Sequence, residues 1–82
     1  MKYEKLVTDI LASIGGEQNI NTVIHCATRL RLTLNDTDIV NDAKVKSAGV
    51  PGVQKIDKTN YQVIVGTEVQ FVADELIKLN NQ

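Results

Sequence analysis

Aromatic residues are scarce in this sequence. Its 82 residues include no Trp, two Tyr and one Phe, so aromatics make up 4% of the chain. The core must therefore be built mainly from Val, Ile, Leu and Ala, and we expect it to be thin and only modestly stable. The same scarcity counts against a small RNA-binding domain, because such domains stack bases on aromatic side chains of exposed strands.

An excess of positive charge is also missing. Nine Lys and Arg stand against ten Asp and Glu, which gives a formal net charge of -1. Domains that bind nucleic acid through its phosphates usually carry a strong basic excess, so we expect no nucleic-acid partner. A local basic patch remains compatible with this balance.

Cysteine occurs once, and long apolar runs do not occur. A single Cys excludes an internal disulfide and is typical of a reducing, cytoplasmic compartment. No run approaches the roughly 18 to 20 apolar residues that span a bilayer, and the N-terminus lacks the apolar core of a signal peptide. We therefore expect one soluble domain over residues 1–79, either free or fused to something larger. Residues 80–82 are predicted to be a frayed end or the start of a linker.

Hydrophobic periodicity predicts three helices. Leu6, Ile10 and Ile14 recur at helical spacing, and Gly15-Gly16 supplies the stop. A short helix is predicted from Asn41, a good N-cap, to about residue 48. A third helix follows Thr67-Glu68-Val69-Gln70, which has the spacing of a capping box.

Four strands are predicted between these helices. Residues 29–34 alternate strictly, with Leu on one face and Arg29, Arg31 and Thr33 on the other. Residues 22–26 form a strand that only Ala27 and Thr28 separate from it, so the two should form a hairpin. Residues 53–56 and 61–65 form a second hairpin.

These elements predict an α+β fold in the order α-β-β-α-β-β-α. The two hairpins join into a four-stranded antiparallel sheet, and the three helices cover its Leu face. The opposite face is then open to water and displays the arginines.

Cys26 is the candidate nucleophile. The thiolate is the reactive form of Cys, and nearby cations favour it. Arg29 and Arg31 lie about 6.7 Å apart along one strand face that begins beside the sulfur. The backbone amides of Ala27, Thr28 and Arg29 could form an anion nest there, and guanidinium groups match phosphate oxygens in bidentate fashion. This pattern indicates a phosphate site that uses no metal and no cofactor. No Walker loop or Mg²⁺ carboxylate cluster accompanies it, so ATP is not the expected direct donor.

Other interpretations stay open at this point. A lone Cys at a strand end is often a small buried hydrophobe, and the two arginines could be a solvated strand face. They could also serve a non-catalytic module that binds an anion or an acidic protein. His25 points to the opposite strand face from Cys26, which disfavours a Cys-His hydrolase.

The segment Cys26-Ala27-Thr28-Arg29-Leu30-Arg31 resembles the phosphorylation site of a known family. That family comprises the B domains of enzyme II in the glucose-sucrose-β-glucoside superfamily of the bacterial sugar phosphotransferase system. The similarity also covers the opening helix, Pro51-Gly52-Val53 and the strand at residues 61–65. The residues around Cys26 look closer to the β-glucoside and sucrose branches than to the glucose branch.

The resemblance implies an enzyme, a protein-phosphocysteine–sugar phosphotransferase. It implies that a phosphohistidine on a phosphorylated A component donates to Cys26, and that a membrane C component binds the sugar that finally accepts the group. Arg29 and Arg31 would bind and orient the phosphoryl group, and Thr28 matches the family's Thr, with a structural or phosphate-binding role. The turn amides described above add Ala27 to the phosphate site. The domain would lie in the cytoplasm at the inner face of the membrane, through a fused or associated permease.

Overall fold

The structure, a computed structural model, describes residues 3–80, which hold three α-helices and four β-strands. The predicted order α-β-β-α-β-β-α is confirmed. Among these residues, no helix is long and apolar enough to cross a bilayer. The elements are α1 (Glu4–Ser13), β1 (Ile20–His25), β2 (Arg29–Leu34), α2 (Asp42–Ser47), β3 (Gly52–Lys55), β4 (Asn60–Ile64) and α3 (Val69–Asn80).

The four strands form one antiparallel sheet in the order β1-β2-β4-β3. The two hairpins meet where β2 pairs with β4, in a register that sets Arg29 opposite Ile64 and Arg31 opposite Gln62. The predicted four-stranded sheet is therefore confirmed, with β2 and β4 at its centre.

The helices cover one face of this sheet, as predicted. α3 lies against β1 and β2, α2 lies against β3, and α1 packs on both other helices. Leu30, Leu32 and Leu34 are buried beneath them, together with Tyr61 and Val63 of β4. Each buried Leu contributes about 1.5 to 3 kcal/mol relative to an exposed one, so this alternation decides which face turns inward.

Two helix ends depend on specific residues. The Gly16 amide donates to the Leu11 carbonyl at 2.8 Å, and Gly15 adopts a φ of 97°, a conformation that suits glycine. At α2, the Asn41 side chain accepts a hydrogen bond from the Lys44 amide, which confirms the predicted N-cap.

Several predicted boundaries were wrong by one or two residues. β1 begins at Ile20 rather than residue 22, because a short 3-10 turn ends at Asn19 and the strand then contains an irregularity before Thr22. β3 and β4 each begin and end one residue earlier than predicted. α3 begins at Val69, one residue later than a cap at Thr67 implies. α3 also includes Asn80, whereas residues 81–82 lie outside the described chain; a domain boundary at residue 79 stays a prediction.

Candidate functional site

The loop of residues 26–28 joins β1 to β2 and carries Cys26. The Cys26 amide donates to the Arg29 carbonyl at 3.0 Å, which closes the loop. The Thr28 carbonyl accepts hydrogen bonds from the amides of Val65 and Gly66, both at 2.9 Å. The side chains of Ala27 and Thr28 are exposed and that of Cys26 is half-buried. The backbone around the sulfur is therefore held by one hydrogen bond within its own hairpin and by two from the segment that follows β4.

Gly66 makes the hydrogen bonds to the Thr28 carbonyl possible. Its φ is 112°, a region that residues with a Cβ rarely adopt, and a Cβ placed there would meet nothing within 4 Å. Backbone conformation, and not crowding, is thus the reason for glycine at this position. The turn it allows, directly after β4, directs two successive amides at the Thr28 carbonyl.

The sulfur of Cys26 lies among hydrogen-bond donors. Hydrogen bonds from the backbone amides of Thr28 and Arg29 are the main reason that the thiol pKa is lowered from its ordinary value. Partial burial opposes them, while the charge of Arg31 and a hydrogen bond from its side chain lower the pKa further. Donors that stabilise a thiolate can also bind the oxygens of an anion at the same place.

The two arginines occupy different positions on the open face. Arg31 pairs with Ile24, which shares the sheet face of Cys26, and its guanidinium interacts with the sulfur. Arg29 meets the sulfur through its backbone amide. Its guanidinium Nη1 instead donates to the side-chain oxygens of Gln62 at 2.9 Å and Gln54 at 3.0 Å. The structure therefore brings Cys26, Thr28 and Arg31 together and turns the Arg29 side chain toward β4 and β3.

Gln54 and Gln62 were missed by reasoning from the sequence. Strand alternation does place Gln62 on the face opposite Tyr61 and Val63, which is the open face. What the alternation could not supply is the register, which sets Gln62 between Arg31 of β2 and Gln54 of β3.

His25 is engaged with the backbone. Its Nδ1 donates to the Cys26 carbonyl oxygen at 3.0 Å. This contact agrees with the expectation that His25 is not the general base for the thiol. Within residues 3–80 no group of three or more His, Cys, Asp and Glu side chains could hold a metal ion.

An open groove of about 270 Å³ lies on the same face, beside Arg31. Ile24 and Ile56 line it and are 58% and 48% exposed, which is high for large apolar side chains. The site thus combines a thiol of lowered pKa, a cation and exposed apolar surface.

Comparisons with known proteins identify the family to which the chain belongs. The family model described as "phosphotransferase system, EIIB" matches residues 8–41. The "PTS system N-acetylglucosamine-specific EIIB component" of Streptomyces coelicolor is 43% identical over 75 residues, which are 92% of this chain and 91% of that protein. The chain belongs to the EIIB family of the phosphotransferase system. EIIB domains are phosphotransferase components, so the chain has a role in phosphoryl transfer.

A solved structure supports the same membership. It is described as one domain of the PTS system, IIabc component from Clostridium difficile, and is 41% identical to this chain. The TM-score is 0.86, and the match covers 95% of this chain and 82% of that one. The EIIB fold is thus established over nearly the whole sequence.

Many EIIB relatives are parts of longer proteins. The "PTS system N-acetylglucosamine-specific EIICB component" of Bacillus subtilis is 49% identical over 67 residues, which are 82% of this chain and 15% of that protein. The "PTS system beta-glucoside-specific EIIBCA component" of the same organism is 37% identical over 83 residues, 13% of its length. The chain therefore spans about an eighth of the length of such relatives.

Proposed function

We propose that Cys26 accepts a phosphoryl group from a phosphohistidine on an A component and passes it to a sugar bound by a membrane C component. The observation that carries this proposal is the surroundings of one sulfur: two backbone amides and a guanidinium donate to it and lower its pKa. A thiolate at neutral pH is the nucleophile that such a transfer needs.

In the first step, the Cys26 thiolate attacks the phosphorus of the phosphohistidine. The P–S bond forms while the P–N bond breaks, and the imidazole leaves with the electron pair of the broken bond. Phosphoryl transfer depends mainly on positioning and charge neutralisation. The amides of Thr28 and Arg29 and the guanidinium of Arg31 would bind the phosphoryl oxygens as they now bind the sulfur.

In the second step, a sugar hydroxyl oxygen attacks the phosphorus. The P–O bond forms, the P–S bond breaks, and the hydroxyl proton passes to a base of the sugar-binding component or to water. The sulfur leaves as a thiolate. Because the same donors stabilise that thiolate, they make Cys26 both a competent nucleophile and a good leaving group. Arg29 and Arg31 would orient the group, with Ala27 and Thr28 lining the phosphate site.

The partners are proposed from the relatives. Several are EIICB or EIICBA proteins, in which the B part is joined to C or A parts. We propose that this chain works with the corresponding A and C components at the inner face of the membrane. The relatives with the higher identities are specific for N-acetylglucosamine, so their names favour that sugar over a β-glucoside.

Intact mass after incubation with a phosphorylated A component tests the acceptor. We expect a mass increase of one phosphoryl group on the wild-type chain and none on Cys26→Ala. Circular dichroism of Cys26→Ala supplies the folding control, since the half-buried thiol contributes little to the core. A phosphoryl group that persists in the folded Cys26→Ala protein would show that another residue is the acceptor.

The alternative is a non-catalytic module that binds an anion or an acidic protein with Arg29 and Arg31. Such a module would bind its partner equally well after Cys26→Ala, with an affinity that falls as salt rises. It gives no reason for amide donors to surround a sulfur, which is why the transfer role is preferred.

A further inference from the structure

Two glutamine side chains hold the guanidinium of Arg29. Its Nη1 donates to the Gln62 Oε1 at 2.9 Å and to the Gln54 Oε1 at 3.0 Å. Gln62 and Arg29 are half-buried, whereas Gln54 is exposed. Gln62 and Gln54 face each other across the β3–β4 pair, so one strand register sets both oxygens on the same side of Arg29.

Both partners of the Arg29 guanidinium are uncharged amide oxygens. An amide oxygen accepts a hydrogen bond but carries no net charge, so Gln54 and Gln62 fix the guanidinium without neutralising it. A carboxylate at either position would form an ion pair and oppose the binding of a second anion. A guanidinium has five N–H donors, and Nη1 carries two of them. The donors on Nε and Nη2 are left for another ligand.

We propose that Gln54 and Gln62 are positioning residues for phosphoryl transfer, because they keep the Arg29 side chain ordered for the incoming phosphoryl group without compensating its charge. This inference rests on the proposed function of Cys26. Arg29 directly follows the loop of residues 26–28, and its backbone amide already donates to the Cys26 sulfur. The glutamines thus act on a side chain that begins at the phosphate site.

The expected effect on the transfer rate follows from the conformational freedom that the two glutamines remove from the Arg29 side chain. Immobilising a flexible side chain during binding costs about 0.5 to 1.5 kcal/mol, or roughly two- to tenfold in rate. A side chain already held by two hydrogen bonds has met part of this cost before the phosphoryl group arrives. Gln62 should matter more than Gln54, since its hydrogen bond to Arg29 is partly buried whereas that of Gln54 is exposed.

The test is the rate of phosphoryl transfer from a phosphorylated A component to Cys26, measured over a range of donor concentrations. We expect Gln62→Met to slow transfer about three- to tenfold. Gln62→Glu should slow it more, since its carboxylate compensates the charge of Arg29. Gln18→Glu is the matched control, because this substitution adds the same negative charge far from Arg29. Gln18 is exposed and lies near Asn35, at the other end of β2. It should stay within twofold of wild type.

A double-mutant cycle separates positioning from a structural role. In an Arg29→Met background, Gln62→Met should have no further effect on the rate, whereas a structural defect would slow both backgrounds equally. Equal slowing would overturn the inference, and so would a wild-type rate for Gln62→Met. If Gln62→Met does not fold, Gln54→Met at the exposed position carries the same test. A wild-type chain that takes no phosphoryl group at Cys26 would instead refute the proposed function.

Discussion

The hydrogen bond between Tyr61 and Asp42 offers a sharp test of how the sheet is joined to the helices. Tyr61 is 1% exposed on β4, and its hydroxyl donates to the Asp42 carboxylate at 2.6 Å, at the first residue of α2. Tyr61→Phe removes this bond and leaves the ring in the core. A hydrogen bond to a charged group contributes about 1.5 to 3 kcal/mol. Asp42 is exposed, so water can replace part of this contribution, and we expect a loss of about 1 to 2 kcal/mol.

Urea unfolding followed by circular dichroism measures this loss. The midpoint should fall at an unchanged slope, because the same surface is exposed on unfolding. Asp42→Ala alone also removes a negative charge from the helix N-terminus, so a double-mutant cycle with Tyr61→Phe isolates the pair. Wild-type stability for Tyr61→Phe, or a cycle in which the two effects simply add, would refute the reasoning.

The same bond predicts how stability depends on pH. Burial first, and then the hydrogen bond to Asp42, raise the pKa of Tyr61 above its ordinary value near 10. The unfolded chain therefore ionises at this residue before the folded chain does. The stabilisation is fully present below pH 10 and is lost as the pH rises above that value. Because Phe does not titrate, the stability curves of wild type and Tyr61→Phe should converge above pH 10.

Three further predictions concern the Cys26 thiol, the Gly66 turn that supports its loop, and the buried Asn19 at the opposite end of the first hairpin. Arg31→Met should move the midpoint of the Cys26 alkylation rate to higher pH, because a cation that stabilises the thiolate is lost; Arg29→Met should move it less, and equal shifts would contradict the assigned contacts. Gly66→Ala should destabilise the fold by about 1 to 2 kcal/mol in urea unfolding, since its φ of 112° is unfavourable for Ala, and an unchanged midpoint would refute this reason. Asn19→Ala should cost about 3 kcal/mol in the same assay, because the side chain is 3% exposed and makes three hydrogen bonds with the backbone; a loss below about 1 kcal/mol would contradict it.

The sequence predicted much of this fold because hydrophobic alternation is a strong local signal. Both ends of β2 are as predicted, since Leu30, Leu32 and Leu34 admit only one burial pattern. The start of β1 was missed because the buried amide of Asn19 fixes the preceding turn through hydrogen bonds to Ile14 and Asp36. One of these partners lies beyond the end of β2, so no local pattern could indicate it.

For the candidate site, the sequence indicated which residues take part but not where each side chain points. The sequence indicated Cys26 with turn amides and arginines nearby, and the amides of Thr28 and Arg29 do meet the sulfur. It could not indicate that Arg29 turns toward Gln54 and Gln62, because that direction depends on pairings across two other strands. Side-chain identity was thus readable from the local motif, whereas side-chain direction required the register of the whole sheet.

The hydrogen bonds from the Val65 and Gly66 amides to the Thr28 carbonyl link the properties of the Cys26 thiol to the folding of the second hairpin. The first hairpin contains the entire motif and closes its own loop through the Cys26 amide, but the amides that hold the Thr28 carbonyl belong to a segment that is in place only after the second hairpin has docked. A peptide of residues 20–35 should therefore show an ordinary, sluggish thiol. In the full chain, the lowered pKa of Cys26 should therefore develop only once the second hairpin has docked.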